Sequence, residues 1–206
     1  MFSNRIYSKG VHLLFISCML FAQGIHAQNK TYYDSIISYQ QHYVDTHEVV
    51  TEDDRKFIQF YDINEHYVVT AYFKKIEDKT GFEMNTSSGM KKKYFQYGIV
   101  SFKLFDSLQH LYVYQSATLM MQEKYKDYLF IPFGDATSGF TSYGGGRYLD
   151  LVFSDIKNGK IILDFNKAYN PYCAYVTGYN CPLPPKENLL NIPIKSGEKN
   201  YGKPVH

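Results

Sequence analysis

The stretch from Gly144 to Pro185 reads GGGRYLDLVFSDIKNGKIILDFNKAYNPYCAYVTGYNCPLPP and contains the clearest turn signal of the chain. Asn158-Gly159 at its centre is a strong hairpin signal, because a two-residue type I′ turn needs positive φ at both central positions. A two-residue loop predicts antiparallel pairs on either side: Lys157 with Lys160, Phe153 with Asp164, Leu151 with Asn166, and Arg147 with Asn170. A loop one residue longer would move every side chain to the opposite face.

This register brings polar side chains onto one face of the predicted hairpin: Arg147, Asp164, Asn166 and Asn170. The other face carries Tyr148, Asp150, Leu163 and Phe165. Asp164 and Asn166 would hold their side chains roughly 6–7 Å apart, which suits a small ligand. The glycines before Arg147 allow close backbone approach and leave amides for an anion, and arginine recognises carboxylate or phosphate. In the structural alternative, Arg147 satisfies a carboxylate, and the acid-amide pair anchors the irregular segment 168–185.

The rest of the chain is also typical of a β-protein. It contains 21 tyrosines and 15 phenylalanines but no tryptophan, and these aromatic residues favour strands. Alternation with a period of two predicts six strands: Tyr67–Ile76, Tyr94–Leu104, Leu108–Gln115, Tyr128–Phe133, Arg147–Phe153 and Lys160–Phe165. Turn residues separate these strands and no helical pattern intervenes, so we predict a single antiparallel barrel-like or sandwich domain over residues 51–199.

A short helical segment is predicted before this domain, over residues 28–50. Apolar residues at helical spacing predict a helix at residues 32–44. A second short helix is predicted to start at Thr51, whose side chain can cap the amides that follow. The acidic run 52–54 suits the positive end of that helix.

The first 27 residues have the features of an export signal. Arg5 and Lys9 precede an apolar run from Val11 to Ala22, and Ala27 is a suitable cleavage position. A lipoprotein signal acylated at Cys18 is the alternative, but the apolar run continues past that cysteine. We therefore expect an exported protein, periplasmic or extracellular, without a transmembrane segment after cleavage. Residues 200–206 are expected to form a polar tail.

The charge of the expected mature chain excludes one class of partner. Residues 1–27 contain two of the 22 basic residues and no acidic residue, so 20 of each sign remain. A neutral chain lacks the basic footprint of a nucleic-acid-binding protein. Cys173 and Cys181 would then be the remaining cysteines, and in an exported chain they most simply form a disulfide. A redox pair and half of a metal site are the alternatives.

Catalytic and metal signatures are weak. Asp135, at the end of an apolar strand, could act as a catalytic acid or form an Asx-turn. The stretch 181–185 must be extended, either as a brace across the barrel mouth or as a polyproline ligand, and Glu187 and Asn188 could line the same mouth. The histidines lack metal-ligand spacing, and no nucleophile elbow or phosphate loop is present. We predict no metal and no cofactor.

Several ordered motifs carry a family resemblance. They are Phe133–Thr137, Tyr143–Tyr148, Leu163–Asn166, Ala168–Pro171, Cys173-Ala174, Cys181–Pro185, Glu187-Asn188 and Gly197–Lys199. Together they closely resemble a bacterial and archaeal family catalogued as domain of unknown function 1684, in a shorter, exported branch. The resemblance implies no activity. It implies that these residues belong to the family signature: Asp135, Arg147, Tyr148, Asp164, Asn166, Tyr169, Asn170, Glu187 and Asn188.

Three functional hypotheses follow. The favoured one is a binding module for a small polar or anionic ligand beside Arg147 and Asp164. The second is a hydrolase that uses Asp135 or Asp164 as the base and Arg147 as an electrostatic stabiliser. The third is a structural or partner-binding envelope protein with a tyrosine-rich interface.

Overall fold

The structure is a computed structural model that describes residues 30–203. The predicted signal peptide and the last residues of the predicted tail lie outside this range. Helix α1 covers residues 30–45, close to the predicted 32–44. A boundary between two compact units lies at Gln41 and His42. Within residues 30–203, no helix combines the length and the apolar character needed to cross a membrane.

The second unit is built on one antiparallel sheet of seven strands. They are β1 Val68–Lys75, β2 Phe82–Asn85, β3 Lys91–Leu104, β4 Ser107–Ser116, β5 Tyr128–Phe133, β6 Arg147–Val152 and β7 Lys160–Asp164. Their order across the sheet is β6-β5-β4-β3-β1-β7, and β2 pairs separately with β3. The sheet curls into an open half-barrel, which confirms the predicted mainly β, barrel-like class.

Six of the seven strands coincide with predicted segments. The missed strand is β2, whose four residues are too few for a clear alternating pattern. It begins directly after Gly81, which has a φ of +67°. β2 pairs antiparallel with the first four residues of β3, residues 91–94.

The Asn158-Gly159 turn is confirmed. Both residues have positive φ, 53° and 69°, and Lys157 and Lys160 exchange two backbone hydrogen bonds. The ladder stops at this pair because β6 has already ended at Val152. A 3-10 turn at Phe153–Asp155 then redirects the chain, and the Asp155 carboxylate accepts a hydrogen bond from the Val152 amide (2.8 Å).

The continuous ladder predicted from that turn is absent between β6 and β7, but its register returns at the far end. Tyr148 and Tyr169, which the predicted register also places opposite each other, exchange two backbone hydrogen bonds (2.9 and 3.1 Å). β6 pairs with β5, where Arg147 faces Phe133, and β7 pairs with β1, where Asp164 faces Val68. The two strands lie at opposite ends of the strand order. A hairpin turn determines the first pair of residues but not how far the ladder continues.

The two faces of the sheet pack different side chains. One face contributes to the main core, which includes Val69, Val100, Leu111, Val113, Leu129, Ile131, Leu149, Ile161 and Leu163. The other face carries a second cluster, which we call the aromatic layer: Phe82, Met84, Tyr94, Tyr112, Tyr114, Tyr128, Phe130, Tyr148 and Tyr169. Because side chains alternate along a strand, neighbouring residues of β6 belong to different clusters.

The predicted helix after Thr51 is a 3-10 helix at Glu52–Phe57. Its capping differs from the prediction. The Thr51 hydroxyl donates to the Asp54 carboxylate (3.1 Å) instead of accepting from backbone amides. The Thr51 carbonyl accepts from the Asp54 and Arg55 amides.

Candidate functional site

Arg147, the first residue of β6, is fully buried. Its Nη2 donates to Asp135 Oδ2 (2.9 Å) and to the Ile194 carbonyl (2.7 Å). Its Nη1 donates to the carbonyls of Ser196 (2.5 Å) and Glu198 (3.1 Å). We call Arg147, Asp135 and these three carbonyls the arginine clamp. A ligand could reach the guanidinium only if segment 194–198 moved away.

Asp135 is held as firmly as its partner. Its Oδ1 accepts from the Thr137 amide (2.8 Å), the Thr137 hydroxyl (2.6 Å) and the Ile194 amide (3.0 Å). The first of these bonds is the Asx-turn that the sequence left open as an alternative to a catalytic role. Because the side chain is sealed from solvent, neither oxygen is presented to a substrate.

The glycines beside the clamp serve close packing. Gly146 has a φ of +84°, and a Cβ there would lie 2.4 Å from Pro184 Cγ. Gly197 has a φ of +74°, and its Cβ would lie 2.5 Å from the Ala168 carbonyl oxygen and 2.6 Å from that of Phe165. Both glycines have a left-handed backbone conformation, and at both positions a side chain would overlap neighbouring atoms.

Asn166 and Asn170, two of the three asparagines predicted as site residues, bind the same C-terminal segment as the arginine clamp, at residues 196–199. Asn166 Oδ1 accepts from the Ser196 hydroxyl (2.7 Å) and from the Asn64 amide (2.9 Å). The backbone N–H of Asn170 donates to Glu198 Oε2 (2.8 Å), and the Asn170 side chain donates to the Lys199 carbonyl (2.7 Å). Arg147, Asn166 and Asn170 therefore converge, as predicted, but on the chain itself.

The third asparagine, Asn188, links β4 to β5. Its Nδ2 donates to the carbonyls of Tyr112 (2.9 Å) and Pro132 (2.8 Å), and its Oδ1 accepts from the Tyr112 amide (2.7 Å). The ladder between these strands contains the single pair Tyr114–Phe130. The buried side chain thus supplies hydrogen bonds where the two strands diverge.

The remaining predicted residues lie apart from the clamp. Asp164 Oδ1 accepts from the Asn166 amide (3.0 Å) and caps a 3-10 turn at Phe165–Lys167. Glu187 is exposed. Tyr148 belongs to the aromatic layer, and its hydroxyl donates to the Pro182 carbonyl (2.5 Å). Tyr169 belongs to the same layer, on the opposite side of β6 from Arg147.

A different polar group stands out in the aromatic layer. Asp150 is exposed to solvent, and its Oδ1 accepts from the hydroxyls of Tyr128 and Tyr169, both at 2.7 Å. Its Oδ2 accepts no hydrogen bond from any residue between 30 and 203. We call Asp150, Tyr128 and Tyr169 the Asp150 site. Phe130 lies directly opposite Asp150 across the β5–β6 ladder.

The neighbours of Asp150 change the pKa values of the site. Desolvation raises the pKa of the Asp150 carboxyl above its usual value, although the two tyrosine hydroxyls act in the opposite direction. The side chain nevertheless stays exposed to solvent. Desolvation and the Asp150 charge also raise the pKa values of Tyr128 and Tyr169 far above their usual value, so both hydroxyls stay protonated.

A second carboxylate is held in the same manner but is completely buried. Glu198 accepts from the hydroxyls of Tyr175 (2.5 Å) and Tyr43 (3.2 Å). Desolvation raises the pKa of Glu198 to about 7. The ring of His47 lies 4.5 Å from that of Tyr175, and desolvation lowers the pKa of His47 to about 4.

Asp150 and Glu198 are not among the site residues predicted from the sequence. Glu198 lies in one of the family motifs, Gly197–Lys199, to which the sequence assigns no role. The predicted alternation correctly places Asp150 on the face opposite Arg147, but the sequence assigned the ligand site to the Arg147 face, and of the Asp150 site only Tyr169 is a predicted site residue. Pairing the predicted strands 128–133 and 147–153 would have placed Asp150 beside Phe130.

The predicted disulfide between Cys173 and Cys181 is present. Its Cys173 sulfur also lies 3.0 Å from the Ser87 hydroxyl. Among residues 30–203, no group of three or more histidine, cysteine or carboxylate side chains could hold a metal ion.

The fold and the clamp define a class of small half-barrel protein whose C-terminal segment is fastened by a buried arginine. The chain belongs to the family described as protein of unknown function (DUF1684), which matches residues 54–199. It is similar to an uncharacterized protein from Haloarcula marismortui solved by solution NMR, at 29% identity and a TM-score of 0.61. That match covers 86% of this chain and 95% of the other. No curated protein matches the chain.

Proposed function

We propose that the protein is a binding module for a small polar ligand, and that Asp150 holds this ligand. One observation carries the proposal: an exposed carboxylate with an open oxygen is fixed in place by two tyrosine hydroxyls. A side chain that is already oriented loses little conformational freedom when a ligand binds. Mostly apolar walls with a few placed polar groups are typical of small-molecule sites.

This proposal keeps the predicted class of function but moves the site to the other face of β6. The face that carries Arg147 is closed by segment 194–198, and both terminal nitrogens of the guanidinium donate to the chain. The face that carries Asp150 keeps an oxygen open. The ligand expected at Asp150 differs from the one expected at Arg147, because the carboxylate accepts hydrogen bonds whereas the guanidinium donates them.

Export is the second part of the proposal. It rests on the charged and apolar pattern of the first 27 residues, and the Cys173–Cys181 disulfide supports it because such bonds persist in oxidising compartments. An exported chain would meet diffusible ligands directly. The intact mass of protein recovered from the cell envelope would give a mature chain that begins near Gln28, and an uncleaved chain in the cytosol would contradict export.

The two alternative functions stay predictions, and the geometry favours neither. A hydrolase using Asp135 and Arg147 would have to open the arginine clamp before either side chain could touch a substrate. An interface built of tyrosines would need a contiguous exposed patch. In residues 42–203 the exposed tyrosines are Tyr72 on β1 and Tyr179 in the disulfide loop, whereas the others are partly or fully buried.

A ligand screen tests the proposal directly. Thermal unfolding of the wild type would be followed with a library of neutral, cationic and anionic metabolites, and every hit repeated with Asp150→Asn. Asparagine keeps an oxygen for the two hydroxyls but removes the charge. A ligand present at 100 times its dissociation constant should stabilise the wild type by about 2.7 kcal/mol and the variant by much less.

Asp53→Asn is the matched control, because Asp53 is an exposed aspartate in a 3-10 turn. It should behave like the wild type with every hit. Hits that stabilise Asp150→Asn as strongly as the wild type would place the ligand elsewhere. The absence of any hit sensitive to Asp150 would count against the proposal.

A further inference from the structure

Within residues 30–203, no basic side chain forms an ion pair with Asp150. The three ion pairs of the described chain involve other acids, namely Asp54, Glu123 and Asp135. The charged groups that act on the tyrosines of the aromatic layer are also negative: Asp150 acts on Tyr128, Tyr148 and Tyr169, and Glu187 acts on Tyr114. A partly desolvated carboxylate without a cationic partner is costly, and a bound cation would remove that cost.

The hydrogen bonds of the site set the polarity of what can bind. The Tyr128 and Tyr169 hydroxyls both use their hydrogen on Asp150 Oδ1. The atoms left for a ligand are Oδ2 and the lone pairs of the two hydroxyls, and all of these accept. A ligand that fills the site must therefore donate hydrogen bonds.

The walls of the site suit a cation as well. Phe130 is the cross-strand neighbour of Asp150, and directly opposed residues share a face of the sheet. Its ring meets that of Tyr148 edge-to-face at 4.7 Å, and Tyr148 meets Tyr169 in the same manner at 5.7 Å. Phe130 and Tyr148 are buried, so the rings that remain partly exposed beside Asp150 are those of Tyr128 and Tyr169. Aromatic faces attract ammonium and guanidinium groups, especially where water is partly excluded.

We infer that the ligand of the Asp150 site is an organic cation that carries N–H donors, a primary or secondary ammonium or a guanidinium group. This inference rests on the proposed function and names its ligand class. The N–H groups would bond to Asp150 Oδ2 and the tyrosine oxygens, and the organic part would pack on the partly exposed rings of Tyr128 and Tyr169. A quaternary ammonium matches the charge but offers no donor, and an alcohol offers a donor without the charge.

Four probes that share a 2-phenylethyl group and differ in the head group separate these properties: 2-phenylethylammonium, 2-phenylethanol, trimethyl(2-phenylethyl)ammonium and 3-phenylpropanoate. Binding would be measured by NMR titration of the wild type, Asp150→Asn and the control Asp53→Asn. We expect 2-phenylethylammonium to bind at least about tenfold more tightly than each of the other three, a difference of about 1.4 kcal/mol. Asp150→Asn should abolish that preference, and Asp53→Asn should retain it.

The outcomes distinguish this inference from the proposed function. If 2-phenylethanol binds as tightly as the ammonium and both depend on Asp150, the cation inference is overturned while the binding site survives. If the quaternary probe equals the primary ammonium, the requirement for N–H donors is overturned. If 2-phenylethylammonium binds equally to the wild type and to Asp150→Asn, the inference is wrong. If no probe shifts the resonances of the Asp150 site, and the metabolite screen is also negative, the proposed function and the cation inference are both wrong.

Discussion

The arginine clamp and the Asp150 site begin three residues apart on the same strand, yet they do opposite things. Arg147 faces a closed interior, where four acceptors engage its guanidinium. Asp150 faces outward, with one oxygen engaged by two hydroxyls and the other open. A concentration of polar motif residues therefore does not by itself locate a binding site. The deciding properties are the face of the strand and the hydrogen-bonding capacity that remains unused.

The largest effect is expected from breaking the clamp. Arg147→Met would leave the buried Asp135 carboxylate without its cation and the carbonyls of segment 194–198 without donors. Removing one partner of a buried ion pair typically costs about 3–5 kcal/mol, so urea denaturation should show a loss of this size or an unfolded chain. Lys74→Met, at an exposed position of β1, is the matched control and should change stability by less than about 0.5 kcal/mol. Equal stability of the two variants would show that the clamp is dispensable.

A smaller loss is expected at the glycine beside the clamp. Gly197→Ala imposes both a positive φ and a clash of the new Cβ with two carbonyl oxygens. Gly178 has a φ of +92°, and a Cβ added there would meet no atom within 4 Å, so Gly178→Ala isolates the cost of the backbone conformation. We expect Gly178→Ala to cost about 1 kcal/mol and Gly197→Ala about 3 kcal/mol, measured by chemical denaturation. If the two variants lose the same free energy, close packing at Gly197 is not important.

The buried counterpart of the Asp150 site predicts a pH effect. The pKa of Glu198 is raised from 4.5 to about 7, so its contribution to stability is most favourable below about pH 4.5 and is lost as the pH rises through 7. The pKa of His47 is lowered from 6.5 to about 4, so its contribution is present above pH 6.5 and is lost as the pH falls through 4. The two trends oppose each other over nearly the same range.

Removing either group should expose the other trend. In Glu198→Gln the free energy of unfolding should rise relative to wild type between pH 4.5 and 7, by about 3 kcal/mol on the scale of about 1.4 kcal/mol per pKa unit. In His47→Gln the relative trend should reverse. The change with pH is the readout, because each substitution also alters hydrogen bonds by an amount that does not vary with pH. Parallel profiles for the wild type and Glu198→Gln would contradict the raised pKa.

Most strands of this fold could be predicted from the sequence, but most of their partners could not; the predicted register holds only at Lys157–Lys160 and Tyr148–Tyr169. Alternating residues located six strands, and Asn158-Gly159 located its turn, because both signals are local. The three carbonyl partners of Arg147 lie 47 to 51 positions further along the chain, and no local pattern connects them to it. The same limit applies to β7, which pairs with a strand that precedes it by more than 80 positions. The position of Asp150 beside β5 could have been predicted, since the strand that carries Asp150 and the neighbouring strand were both predicted correctly.

The smallest effect on stability, and the most direct test of the contrast between clamp and site, is expected from Asp150→Asn. The variant keeps an oxygen acceptor for Tyr128 and Tyr169 and removes a charge that has no cationic partner in the described chain. Its unfolding free energy should therefore stay within about 0.5 kcal/mol of wild type, while the binding of 2-phenylethylammonium disappears. Asp135→Asn offers the opposite case, because the same chemical change in the clamp leaves Arg147 buried without its counter-ion and should destabilise strongly. If both variants lost several kcal/mol, Asp150 would belong to the scaffold in the same sense as Arg147, and the distinction between the two faces of β6 would fail.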